Sequence, residues 1–176
     1  VRNQISNNFI AKDVIDQITI SEQLSPLFKA DINLKNSFQT NIEIRKERTL
    51  SLSFANSQVT EVNRTSYVLG AGYRFKDVEI NVRMGGENTR KFKSDILLKA
   101  DMSVNINRTI LRKIDQNVNL VSSGSKVFTL NLSGEYSLTE QIILKAYFEM
   151  TSNTPYVSNS YPNSTTQGGF SVRLTL

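Results

Sequence analysis

The sequence predicts an all-β fold, an antiparallel β-barrel segment whose strands cross a membrane, and three observations lead to this class. Apolar residues recur at every second position in segment after segment, most clearly from Ile96 to Ile106, while Lys99 and Asp101 fall on the opposite side. Each such segment holds about ten residues, the length with which a tilted β-strand crosses a bilayer. Asp, Glu, Lys and Arg are absent from the apolar sides, where a basic residue at the bilayer centre would cost about 2–4 kcal/mol.

Composition excludes several classes of protein. The chain has 176 residues, of which 39% are hydrophobic, and its mean hydropathy is −0.29. Its longest apolar runs fall far short of the roughly 18 residues of a spanning helix. Without Cys there is no disulfide framework, and without His the usual catalytic triads and zinc sites are missing. We therefore expect no enzyme activity, no catalytic, cofactor-binding or metal-binding residues and no cofactor. The net charge of +5 is spread among acids, so no nucleic-acid partner is expected.

Residues 1–25 are predicted to be an irregular lead-in or a partial strand, ending in a turn at Ser25-Pro26. Residues 26–176 are predicted to form about eight transmembrane strands, at 27–35, 38–45, 48–55, 66–76, 95–106, 127–136, 141–151 and about 170–176. In the fourth predicted strand the apolar positions are odd-numbered from Tyr67 to Phe75, and from Val78 onward they are even-numbered. This change of phase predicts a bulge or a turn near Lys76-Asp77.

The predicted connections alternate in length. Polar loops are expected at 84–94, 115–126 and 152–167, and a short turn at 137–140. Bacterial barrels show this asymmetry, with short periplasmic turns and longer outer loops. If the last strand ends at the periplasmic side, 115–126 and 152–167 lie outside the cell and 84–94 inside. Aromatic residues fall mostly near the ends of the predicted strands, as they do in the interfacial girdles of such barrels.

The alternation sorts side chains into two groups. Those predicted to face lipid are Leu50, Leu52, Leu69, Leu98, Met102, Leu130, Leu144, Phe148, Phe170, Val172 and Leu174. Those predicted to face the lumen are Lys29, Asp31, Glu43, Arg45, Arg74, Lys99, Asp101, Glu135, Lys145, Glu149 and Arg173. In a closed eight-strand barrel the charged group would have to form a packed, paired network, whereas in a much wider barrel it would line a water-filled lumen. For any single residue, the simpler reading is a solvated polar face.

Several stretches together resemble the C-terminal end of the SprA/Sov family, the giant outer-membrane translocons of the type IX secretion system of the Bacteroidetes. They are QLSPLFKADINLKN (23–36), RTLSLSFANSQVTEV (48–62), GAGYRFKD (70–77), TILRKI (109–114), SSGSKVFTL (122–130), NTPYVSNSYP (153–162) and GGFSVRLTL (168–176). The similarity runs from about residue 18 onward, in order and with plausible spacing.

The resemblance implies that the chain is a small part of a far longer protein, located in the cell outer membrane, whose strands close the wall of a very large barrel. That channel exports folded cargo proteins. Its expected partners are the remainder of the barrel polypeptide, a PorV-type shuttle protein, a plug protein, secreted cargo proteins and outer-membrane lipid. In gliding species the cargo includes adhesins, which links the family to gliding motility.

Two alternatives stay open at this point. One is a self-contained eight-stranded outer-membrane barrel with a structural or adhesive role. The other is a soluble ligand-binding β-barrel, with its apolar face inside and its polar face outside.

Overall fold

The computed structural model describes residues 15–83, 89–138, 141–158 and 160–174, with the backbone alone over 80–83 and 89–92. Within these residues the chain forms seven β-strands: β1 (Gln17–Asn33), β2 (Phe38–Ser53), β3 (Gln58–Arg83), β4 (Thr89–Lys113), β5 (Val118–Ser137), β6 (Ile142–Pro155) and β7 (Asn163–Leu174). In this part of the chain there is no helix of the length and apolarity that a membrane crossing requires.

All seven strands belong to one antiparallel sheet, in which each strand pairs with the next along the chain. The sheet is open, since β1 pairs only with β2 and β7 only with β6 among the described residues. The sheet is a single layer, so no other part of the described chain covers either of its faces. Among the described residues, Tyr136 is the one apolar side chain that is buried. The predicted all-β, antiparallel class is confirmed, and the open sheet is consistent with an arc of a barrel.

Tight connections join the strands. The loops at 34–37, 54–57 and 114–117 each separate two strands by four residues. Each ends on a residue with positive φ, namely Ser37 (66°), Ser57 (50°) and Asn117 (50°). Four-residue hairpin loops turn the chain through such left-handed positions. The connections therefore hold consecutive strands in antiparallel pairs.

The predicted strands 38–45 and 48–55 are a single strand, so eight expected strands become seven. β2 pairs with β3 without interruption from Phe38–Tyr73 to Ser53–Gln58. The run of charges from Arg45 to Arg48 interrupts the alternation of the sequence, but a strand that is solvated on both faces accommodates charged residues without ending.

Two of the expected long loops are wrong in their bounds. β5 begins at Val118 and includes most of the loop predicted at 115–126. β6 continues to Pro155 and β7 begins at Asn163, which shortens the loop predicted at 152–167. For the loop predicted at 84–94, β4 already begins at Thr89, and residues 84–88 lie outside the described residues. Polar composition suggested loops here, whereas these segments are strands that are polar on both faces.

Irregularities in pairing occur where the sequence changes its phase or contains proline. The bulge predicted near Lys76-Asp77 is confirmed, because the β3–β4 register shifts between Phe75 and Val78 and Asp77 has φ 57°. Since the bulge inserts one residue, Val78 stays on the face of Phe75 although its number has changed parity. Ser25-Pro26 is not a turn, because β1 runs through it with a register shift between Leu24 and Phe28. Proline is tolerated there because the ladder between β1 and β2 is interrupted at this shift.

Candidate functional site: an apolar belt and a polar wall

The register assigns each strand residue to one of two faces. Paired residues on neighbouring strands share a face, and successive residues on one strand alternate between faces. All eleven residues predicted to face lipid fall on one side, here called the apolar face, through rows such as Leu69–Met102–Leu130. All eleven residues predicted to face the lumen fall on the other, here called the polar wall. The sequence thus predicted which residues share a face. That one face contacts lipid and the other a lumen stays a prediction.

The apolar face carries an uncharged zone that crosses every strand, here called the apolar belt. On β4 it extends from Ser94, which pairs with Val78, to Val104, which pairs with Tyr67, or roughly 33 Å along the strand. At the usual strand tilt of about 40° this length corresponds to a height near 25 Å, that of the apolar band of outer-membrane barrels. The belt comprises those residues of the apolar face that lie within 28–32, 38–44, 67–78, 94–104, 128–136, 142–150 and 168–174, one range for each strand in order.

Aromatic residues mark both borders of the belt. Phe28, Tyr67 and Phe128 lie in one row across β1 to β5, here called the first aromatic row. The opposite border carries a second band made of Phe38, Tyr73, Phe75, Tyr136 and Phe170. The aromatic residues of the belt, with the exception of Phe148, therefore lie at its borders. Of these residues only Phe38 and Tyr136 also lie at the end of a strand, as predicted.

Strands β2 to β5 continue well past the first aromatic row. β3, for example, runs nine residues from Tyr67 back to Gln58, which is roughly 30 Å. Leu50 and Leu52 lie in this extension, where Leu50 pairs with Glu61. They share the apolar face but stand outside the belt, so their position does not favour contact with lipid.

The polar wall carries several ion pairs that are partly exposed to solvent. Lys29 contacts Asp31 at 3.2 Å and Lys145 contacts Glu135 at 3.1 Å. Arg45 donates hydrogen bonds to both carboxylate oxygens of Glu43, at 2.7 and 2.9 Å. At least one third of each side chain in the two lysine pairs is exposed. Ion pairs of this kind contribute little to stability in water.

Other members of the polar wall are placed by pairing across strands. Arg74 lies 3.8 Å from Asp95, a partner that the sequence reasoning missed. The amide of Gln167 donates to Glu149 at 2.6 Å. Glu43 on β2 and Glu135 on β5 are three strands apart, so they do not form an acid–base pair.

A charged cluster that the sequence reasoning missed lies on the apolar face beyond the first aromatic row. Its centre is Glu61, which is 5% exposed. Arg48 donates to one of its oxygens at 2.9 Å and Arg112 to the other at 3.1 Å, while Asn63 donates at 3.1 Å. Burial raises the pKa of Glu61, but the hydrogen bonds from Asn63, Arg112 and Arg48 outweigh it and lower the pKa to about 2.

The two faces of the sheet differ in the charge that they carry. Among the described residues no group of three or more acidic, His or Cys side chains is arranged to hold a metal ion. No protein-family model matches the chain, and no curated protein matches it significantly. The arrangement sets an uncharged surface on one face of the sheet against a charged surface on the other.

Proposed function

We propose that this chain forms part of the wall of a protein-conducting channel in the bacterial outer membrane, the translocon of type IX secretion that the SprA/Sov resemblance indicates. The apolar belt would contact lipid and the polar wall would line the lumen. The observation that supports this most is the uncovered, uncharged belt with aromatic residues at both borders.

The exposed apolar surface of the belt requires a cover. Leu98 is 44% exposed, Val172 is 62% exposed and Phe170 is 90% exposed. Soluble proteins seldom leave such continuous apolar surface in water, and a soluble sheet packs its apolar face against a second layer. Lipid supplies that cover without a second layer, and the height of the belt fits a bilayer. The soluble ligand-binding barrel lacks this support, since the sheet encloses no apolar interior.

The open edges favour an arc over a small closed barrel. Strands in a membrane must satisfy all their backbone hydrogen bonds, so neither β1 nor β7 can remain an edge there. We infer that the remainder of the barrel polypeptide supplies their neighbours. The alternative eight-stranded barrel would require one more strand and closure between the two edges.

The polar wall suits a wide lumen. Its eleven predicted residues comprise six bases and five acids, so the wall is nearly neutral, and its ion pairs are exposed. A wall of this kind stays wet and does not bind a passing protein of either charge strongly. Passage of folded cargo, with a PorV-type shuttle and a plug protein as partners, follows from the resemblance and is proposed with it.

Cysteine labelling tests this proposal on the intact protein in its native membrane. Each variant carries one new cysteine, at Leu98, Leu144 or Val172 on the belt, or at the neighbouring Lys99, Lys145 or Arg173 on the wall. We expect the wall positions to react with a membrane-impermeant maleimide and the belt positions to be protected. Equal reaction at neighbouring positions would contradict a lipid-facing belt.

The size of the labelled polypeptide separates the two membrane alternatives. A channel wall predicts a labelled chain much larger than 19.9 kDa. A labelled chain of about this mass that shifts in gel mobility on boiling would instead support the self-contained barrel.

A further inference from the structure

Three cations without acidic partners follow the first aromatic row on the apolar face. Lys46 and Lys126 lie in the next row outward, Lys46–Thr65–Ile106–Lys126, and Arg108 lies in the row after it, paired with Gly124. All three side chains are exposed, and none of them contacts a carboxylate within the described residues. We call these three residues the basic row.

Both acidic residues that the strands carry on this surface are already engaged. Glu22 lies 3.7 Å from Arg48, and Glu61 binds Arg48 and Arg112. The region beyond the belt therefore has unbalanced positive charge, and this excess is concentrated on the basic row.

The height of the basic row suggests what it binds. Lys46 is two residues from Ile44, the last belt residue of β2, so their rows differ by roughly 7 Å. Lysine and arginine at this height extend their charged groups to the membrane–water border, where lipid phosphates lie. The guanidinium of Arg108 lies 5.6 Å from the ring centre of Tyr156, a contact that orders it at this border.

We propose that Lys46, Arg108 and Lys126 form a binding site for the phosphate groups of anionic lipid headgroups at the border of the belt. The inference rests on the proposed membrane location, and it adds a lipid class and the residues that select it. Lys46 and Lys126 are three strands apart, or roughly 14 Å. The site is thus wide enough for neighbouring headgroups and too open to hold a free phosphate ion from all sides.

The polar wall offers a control set of the same composition. Lys29, Lys145 and Arg173 are also two lysines and one arginine, but they lie on the opposite face. The variant K46Q/R108Q/K126Q and the control K29Q/K145Q/R173Q therefore change the net charge equally.

The experiment uses the complete protein that carries this chain, with a single reporter cysteine at Ile106, which lies between Lys46 and Lys126 in the same row. A fluorophore is attached to this cysteine, and the protein is reconstituted in phosphatidylcholine vesicles. The vesicles also contain a lipid with a nitroxide on its headgroup, which is either anionic phosphatidylglycerol or zwitterionic phosphatidylcholine. Fluorescence quenching then reports which lipid neighbours the basic row.

We expect the anionic nitroxide lipid to quench more strongly, and K46Q/R108Q/K126Q to lower its relative association at least roughly tenfold. The control variant should retain the preference, and high salt should weaken it. If both triple variants prefer the anionic lipid equally, the proposed lipid site is overturned. The site is also overturned if millimolar inorganic phosphate, added at constant ionic strength, abolishes the preference for the anionic lipid. Quenching by an aqueous reagent and by neither lipid would instead overturn the membrane location.

Discussion

Arg112 on β4 donates hydrogen bonds from Nε and Nη2 to the same carboxylate oxygen of Glu61 on β3. Arg48 on β2 donates to the other oxygen, so one carboxylate ties three strands together. This contact lies beyond the apolar belt, where lipid would no longer support the sheet. We infer that the cluster holds together the part of the sheet that projects beyond the belt.

Replacing Glu61 should loosen this projecting part. The variant Glu61→Gln removes the charge that both arginines neutralise, and bonds to charged groups contribute about 1.5–3 kcal/mol. Arg48 and Arg112 are 36% and 44% exposed, so water recovers some of that loss and we expect about 1–2 kcal/mol. Hydrogen exchange of the backbone around residues 59–63 and 108–112 should then be roughly 5- to 30-fold faster.

Glu47→Gln is the matched control for this change. Glu47 lies on the same pair of strands but on the opposite face, 4.0 Å from Arg64, and its side chain is 37% exposed. Such a pair contributes at most about 1 kcal/mol. Equal exchange rates in the two variants would contradict a special role for Glu61.

Acidification should weaken the same cluster. The pKa of Glu61 falls from 4.5 to about 2 on folding, so the stabilisation is complete above the higher value and is lost as the pH falls through the lower one. Thermal unfolding followed by circular dichroism should therefore show the wild type losing its advantage over Glu61→Gln between about pH 4.5 and about pH 2. The other carboxylates titrate alike in both proteins, so their contribution cancels when the stability of one protein is subtracted from that of the other. A difference that is independent of pH would show that charge on Glu61 is not what stabilises the sheet.

The fold class and the faces could be predicted because a period of two survives in the sequence wherever one face is uniformly apolar. The belt is such a region, and even the bulge at Asp77 was visible as a change of phase after Phe75. Strand lengths could not be predicted, because beyond the belt both faces are polar and the alternation disappears. Val118 and Asn163 were therefore assigned to loops although each begins a strand.

The cluster around Glu61 was missed for a related reason. Arg48 occupies an apolar-phase position of β2, where a charge does not by itself indicate a contact. Arg112, the second arginine that contacts Glu61, is 64 residues away from Arg48 along the chain, and only the register brings both to one carboxylate. A charge of opposite sign at the apolar phase of a neighbouring strand is the signal that would have indicated the cluster.

Glycine at position 70 is expected to be required by its neighbours on the polar wall. A Cβ on Gly70 would overlap the side chain of Asn41 and stand 2.7 Å from Oδ1 of Asp101, whereas a Cβ on Gly72 would meet its nearest atom at an ordinary 3.7 Å. Asn41 must change its side-chain conformation to make room, so Gly70→Ala should be less stable than Gly72→Ala by about 0.5–1.5 kcal/mol. The measurement is hydrogen exchange at the paired segments of β2 and β4.

Removal of the obstructing side chain provides the internal control for this effect. The double variant Gly70→Ala/Asn41→Ala should recover part of the lost protection, because the closest contact is gone. If Gly70→Ala and Gly72→Ala behave alike, steric conflict is not what keeps residue 70 a glycine.

A basic residue at the centre of the belt should have the largest effect. Ala100 lies near the middle of the belt on β4, and Ser103 on the same strand lies on the polar wall. In the proposed membrane location, Ala100→Arg would place a charge in lipid at a cost of about 2–4 kcal/mol, which corresponds to a loss of roughly 30- to 1000-fold in the equilibrium for assembly. Ser103→Arg adds the same side chain on the wet face and should assemble like the wild type. The amount of each protein recovered in the outer membrane in protease-resistant form measures the difference, and equal recovery of the two variants would mean that lipid does not cover the belt.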